Sequence, residues 1–91
     1  MPKPLPEHIE DIKEYVRNVV YENRCARCGT PSKVIHEIEP RSLRPADWWE
    51  LDNMVVLCSV CHTWAEELGT RERADELRQC RERVLRERGM V

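Results

Sequence analysis

Apolar residues near the start of this 91-residue chain recur at intervals of three and four positions, with polar residues between them. Such spacing places the apolar side chains on one stripe of an amphipathic helix. The pattern predicts a helix over residues 7–24, and acidic residues in its first turns suit the helix dipole. Before it, residues 1–6 contain three prolines and predict an extended, flexible leader. The stripe consists of Ile9, Ile12, Val16, Val19 and Val20.

Two short apolar segments in the middle of the chain have the composition of β-strands. Residues 33–38 (KVIHEI) predict a strand that Pro40 ends, and residues 54–58 (MVVLC) predict its partner. A long loop containing two prolines and the pair Trp48-Trp49 separates them. The pair is expected to pack this loop onto a small core, with an apolar wedge against DNA as the alternative.

Helical patterns return after the second strand. HTWAEEL, beginning at His62, predicts a helix that ends at Gly69. Thr70 is expected to cap a last helix, whose apolar stripe Cys80 and Arg81 interrupt, so that only part of it is buried. Its arginines and acids alternate, which usually indicates a solvated face. The predicted fold class is therefore α+β, a small hairpin flanked by an N-terminal and a C-terminal helix.

The composition predicts a small hydrophobic core, because 5% of residues are aromatic and 35% are charged. Small domains of this kind often need a metal or disulfides for stability. The chain has five cysteines, and four of them form two C-x-x-C pairs, Cys25 with Cys28 and Cys58 with Cys61, which leaves Cys80 single.

The compartment decides between metal and disulfide. Neither a signal-peptide pattern nor an apolar run long enough for a membrane span is present, so we expect a cytoplasmic protein that does not enter a membrane. In a reducing cytoplasm paired C-x-x-C motifs favour metal, and four thiolates form the ligand set of a closed structural Zn²⁺ site. The alternative is one redox-active pair, for which the strand–helix context is missing. The net charge of −2 provides no whole-chain argument for nucleic acid.

The order CARCG, VIHEIEPRS and LDNMVVLCSVCH, over residues 25–68, resembles the zinc-stabilised HNH endonuclease motif, especially in small proteins of bacteria and their phages. The resemblance implies a ββα-metal domain over residues 25–69, with a C-terminal helix or arm at 70–91. It also implies hydrolysis of DNA phosphodiester bonds in a bacterial or phage-infected cell. A phage packaging terminase is the protein partner that it suggests.

The resemblance also assigns roles by position. Asn53 matches the residue that holds the loop and orients the base, and His62 matches a ligand of the catalytic cation, which is Mg²⁺, Mn²⁺, Ni²⁺ or Zn²⁺. His36 stands at the position of the other ligand and Glu37 at that of the general base. Arg41 and Arg44 follow the first strand and are weak candidates for DNA phosphate contacts, with plain solvation as the alternative.

The pair His36-Glu37 departs from the usual family pattern, in which a histidine occupies the position of the base. Neighbours on a strand face opposite ways, so both side chains cannot normally serve one site. Either Glu37 is the base, or His36 is the base while His62 and an acid hold the cation. A third version is an inactive zinc-stapled adaptor that binds DNA or protein.

Overall fold

The computed structural model describes residues 7–90, and the predicted leader at residues 1–6 lies outside this range. The elements are three α-helices and one two-stranded antiparallel sheet, so the predicted α+β class is confirmed. In chain order they are α1 (Ile9–Tyr15), a π-helical turn (Val16–Val20), β1 (Ile35–Glu37), a 3₁₀ turn (Leu51–Asn53), β2 (Met54–Val56), α2 (Ser59–Glu66) and α3 (Thr70–Glu87).

The N-terminal helix is shorter than predicted. The π-helical turn ends at Val20, and Glu22 and Asn23 then have left-handed backbone angles, with φ of 49° and 56°. The left-handed region is incompatible with helix continuation. The chain therefore turns three to four residues before the predicted end, which brings Cys25 toward the sheet.

The predicted hairpin is present in a shorter form. Ile35 pairs with Val56, His36 with Val55 and Glu37 with Met54. All three residues of β2 are buried, whereas those of β1 are half-buried. The strand β2 is thus the centre of the core, and β1 lies at the edge, where its side chains can face a cleft.

The loop between the strands is held by its own side chains. Trp49 packs against the core, as its apolar character suggested, whereas the Arg41 guanidinium stacks over the Trp48 ring at 3.7 Å. Arg44 forms hydrogen bonds to both carboxylate oxygens of Asp47 at 3.0 Å. These contacts order the long irregular segment that follows β1.

Three details of the C-terminal helices differ from the prediction. The helix α2 begins at Ser59 rather than His62, because the Cys58 sulfur accepts a bond from the Cys61 backbone N–H and so starts the helix. Gly69, not Thr70, is the N-cap of α3. Cys80 is buried and continues the apolar stripe of α3 instead of interrupting it, because a free thiol packs as a small apolar group.

No helix within residues 7–90 combines the length and the apolar character that crossing a membrane demands.

Candidate functional site

Four cysteines from the two ends of the hairpin converge on one point. The sulfurs of Cys25, Cys28, Cys58 and Cys61 all lie within 4.8 Å of one another, and those of Cys28 and Cys58 are 3.6 Å apart. A tetrahedral site with Zn–S bonds of about 2.3 Å requires sulfurs about 3.8 Å apart. The predicted cluster is therefore confirmed as a set of four donors that could hold a metal such as zinc.

Local backbone structure positions each pair of thiols. The turn after Cys25 closes with a bond from the Gly29 N–H to the Cys25 carbonyl at 2.9 Å, and Gly29 has a φ of 81° that a side chain would strain. The Ala26 N–H donates to the Val56 carbonyl at 2.8 Å, which fastens this turn to β2. The second pair lies in the first turn of α2.

The thiols differ in their environments. Hydrogen bonding with Thr30 lowers the pKa of the exposed Cys28 to about 6, whereas burial raises the pKa of Cys61 to about 12. Because a thiol binds metal as its thiolate, a metal that enters the cluster must displace the proton of Cys61. The Arg27 guanidinium compensates in part, since it donates to the Cys61 sulfur at 3.6 Å while stacked 3.9 Å over the Trp64 ring.

The two histidines of β1 and α2 meet each other. The imidazoles of His36, on β1, and His62, one residue after Cys61 on α2, stack with ring centroids 3.9 Å apart and planes inclined by 26°. Coordination of one cation by both rings would require one ring to turn out of this stack, because lone pairs of stacked rings run side by side. The pair lines a cleft of about 170 Å³.

The Glu66 carboxylate and the protonation of the two rings determine what the histidine pair can do. The His62 Nε2 lies 2.9 Å from the Glu66 carboxylate one helical turn away, so a neutral His62 that donates there has its lone pair on Nδ1. Burial, followed by the neighbouring His62, lowers the pKa of His36, and Glu66 opposes this shift. The lowered pKa favours the neutral form of His36, which is the form that can accept a proton.

Glu37 also lines the cleft, but its carboxylate is engaged by Arg41, whose Nε donates to it at 3.0 Å. His36, and not Glu37, is the residue of this pair that contacts His62. Arg44, the other weak candidate for a DNA phosphate contact, has a side chain that is 16% exposed and pairs with Asp47 and Asp52. Its charge is therefore already compensated within the protein.

Asn53 lies outside the cleft and acts on the loop. Its side chain is fully buried, accepts a bond from the Glu39 N–H at 2.8 Å, and donates to the carbonyls of Glu39 and Trp48 at 3.0 and 2.9 Å. These three bonds fix the segment that follows His36 and Glu37.

Two further residues of the cleft were not singled out from the sequence. Glu66 could have been found, because it follows His62 by four positions on a helix, where side chains meet. Arg73, on α3, also lines the cleft, and nothing in the charge pattern of α3 separates it from its neighbours.

Comparisons with protein-family models, curated proteins and solved structures found no match to this chain.

Proposed function

We propose that this protein is a metal-dependent endonuclease of the HNH type, with a ββα-metal site that hydrolyses DNA phosphodiester bonds. The observation that carries the proposal is the stacked pair of His36 and His62 in one cleft, 3.9 Å apart, on the strand and helix that the cysteine cluster joins. One imidazole with a carboxylate in reach can hold a divalent cation, while the other imidazole can accept a proton.

His36 is the proposed general base, because its ring lies in the cleft against His62 and its lowered pKa favours the neutral form that accepts a proton. It takes a proton from water as the water oxygen forms a bond to phosphorus. The bond from phosphorus to the 3′ oxygen breaks, and this oxygen acquires a proton from solvent. Glu37 is less suited to the role, since Arg41 occupies its carboxylate.

His62 and Glu66 are the residues that would hold the catalytic cation, once the proton between the His62 Nε2 and the Glu66 carboxylate is lost, with His36 next to them. Such a cation, Mg²⁺, Mn²⁺, Ni²⁺ or Zn²⁺, supplies positive charge to the phosphate and to the leaving oxygen when it is bound. A structural Zn²⁺ on the four cysteines has a separate task in this proposal. It fixes the first turn of α2, and with it the position of His62, which follows Cys61 directly.

The test is cleavage of supercoiled plasmid by the purified protein with each of the four cations. We expect nicking or linearisation, and a loss of about 100-fold or more in rate for His36→Ala, the range typical of a removed general base. We expect a similar loss for His62→Ala, because it removes a proposed ligand of the cation. His8→Ala is the matched control, because His8 is the remaining histidine and is exposed at the start of α1. It should cleave at the wild-type rate.

Full activity of both cleft variants would refute the site. Stable binding of DNA without cleavage under any of the four cations would favour the adaptor instead.

A further inference from the structure

Arg73 presents an uncompensated positive charge to the cleft of the two histidines. It lies in the first turns of α3 and lines the cleft together with His36, His62 and Glu66. Its Nε is fully buried and has no hydrogen-bond partner. Within residues 7–90 its guanidinium makes neither a hydrogen bond nor an ion pair.

A partly buried guanidinium without a partner is unfavourable. Arginine carries a full charge at any physiological pH, so it cannot escape the cost of desolvation by losing its proton. Buried charges in proteins are normally paired, and an exception calls for a ligand or ion that completes the site. The two carboxylates of the cleft do not fill this role, because Glu37 pairs with Arg41 and Glu66 with His62.

The neighbours of Arg73 define the ligand that would complete it. Two imidazoles contribute N–H donors or lone pairs, and the planar fork of a guanidinium matches two oxygens of a tetrahedral oxyanion. The cleft volume of about 170 Å³ exceeds the ~30 Å³ share of one water molecule several times over. The cleft that these residues line therefore has space for one phosphate group.

We propose that Arg73 is a phosphate-binding residue that holds the oxygens of a phosphate group against His36 and His62. The identity of that group as a DNA phosphodiester rests on the proposed function, whereas the anion site itself rests on the unpaired guanidinium. In cleavage, Arg73 would orient the phosphorus toward the water that His36 deprotonates.

Binding can be measured without cleavage by titrating the zinc-loaded protein with inorganic phosphate and following the NMR signals of the His36 and His62 rings. We expect saturable shifts for the wild type and at least a tenfold weaker apparent Kd for Arg73→Gln. Arg73→Lys should recover part of the affinity, because it restores the charge without the fork. Arg71→Gln, an exposed arginine on the same helix that does not line this cleft, should match the wild type.

Wild-type titration curves for Arg73→Gln, or the absence of saturable shifts in the wild type, would overturn the inference. Should Arg73→Gln fail to fold by circular dichroism, the decision passes to Arg73→Lys and to Arg73→Met, which keeps the length of the side chain. A folded Arg73→Met that binds phosphate like the wild type would also overturn the inference.

The plasmid assay separates this inference from the proposed function. Phosphate binding that depends on Arg73, in a protein that never cleaves, supports the anion site and refutes the nuclease. Cleavage by the wild type with unchanged kcat and KM in Arg73→Gln, together with unchanged phosphate binding, refutes the inference and leaves the nuclease standing.

Discussion

At the scale of single residues, Asn53 holds the loop segment that leads to the wall of the cleft. One side chain satisfies the backbone N–H and carbonyl of Glu39 and the carbonyl of Trp48, and it is fully buried. Glu39 precedes Pro40, which lines the histidine cleft. An amide is needed here because only an amide presents an acceptor and two donors at once.

Replacing Asn53 by Asp keeps the shape but removes both donors and places a carboxylate against two carbonyl oxygens. We expect Asn53→Asp to lower the free energy of unfolding by about 2–4 kcal/mol, the cost of unsatisfied buried polar groups and an unpaired charge. Urea denaturation measures this. Asn18→Asp is the control, since Asn18 is exposed and only accepts a bond, from Asn23, which a carboxylate can also accept. Equal stability of the two variants would contradict the role of Asn53.

Single residues also show which features of the site the sequence cannot predict. The identities of His36, Asn53 and His62 could be marked from spacing and from the resemblance. Among the partners of their side chains, Glu66 could be predicted because it follows His62 by four positions on a helix. Glu39 and Trp48 reach Asn53, and Arg73 reaches the histidine cleft, only through the path of the loop and the packing of α3. Arg44 illustrates the same limit, since its acidic partners depend on how the loop folds.

At the scale of elements, β2 is the strand on which the others pack, and Tyr21 connects the N-terminal segment to it. The Tyr21 hydroxyl donates to the Met54 carbonyl at 3.0 Å, inside the core. Burial raises the pKa of Tyr21, so the hydroxyl remains a donor across the accessible pH range. This bond holds the turn before Cys25 against the start of β2.

Tyr21→Phe removes the hydroxyl and leaves a buried carbonyl with one donor fewer. We expect a loss of about 1–2 kcal/mol in the free energy of unfolding, the usual value for a buried hydrogen bond whose partner stays behind. Tyr15→Phe is the matched control, because the Tyr15 side chain is 46% exposed, and it should change stability by less than about 0.5 kcal/mol. Calorimetric melting of both variants against the wild type decides the comparison. An equal effect of the two substitutions would speak against the connection.

The charge pattern of α3 predicts its solvated face but not its contacts with other elements. The mixed signs of α3 indicate a solvated face, yet Arg83 donates to the carbonyls of Ala26 and Arg27, and Arg88 donates to the carbonyl of Val20 at 3.0 Å. A charge pattern shows which residues stay polar but not which of them reach carbonyl groups of another segment. The position of Arg73 in the cleft follows from this attachment of α3.

At the scale of the whole molecule, the thin core makes the cysteine cluster the main candidate for long-range stabilisation. The cluster joins the turn after the first helical segment to the start of α2, segments about thirty positions apart in the chain. The sequence was sufficient for this feature because two C-x-x-C pairs supply the four thiolates of a closed structural zinc site. A bound metal raises the free energy of unfolding by RT ln(1 + [metal]/Kd) when it binds only the folded form.

Cys80, the fifth cysteine, provides a control for testing whether zinc binding and stability depend on the cluster. We expect the wild type and Cys80→Ala each to bind about one zinc per chain by elemental analysis, and Cys58→Ala to lose most of it, since three thiolates no longer close the tetrahedron. Cys80 is buried outside the cluster, so its truncation should lower stability by only about 1 kcal/mol. A strong chelator should then lower the melting temperature of the wild type and Cys80→Ala, but have little further effect on Cys58→Ala. Equal zinc content in all three proteins would show that the metal does not bind at the cluster, and the folding of the hairpin would then depend on β2 and its packing alone.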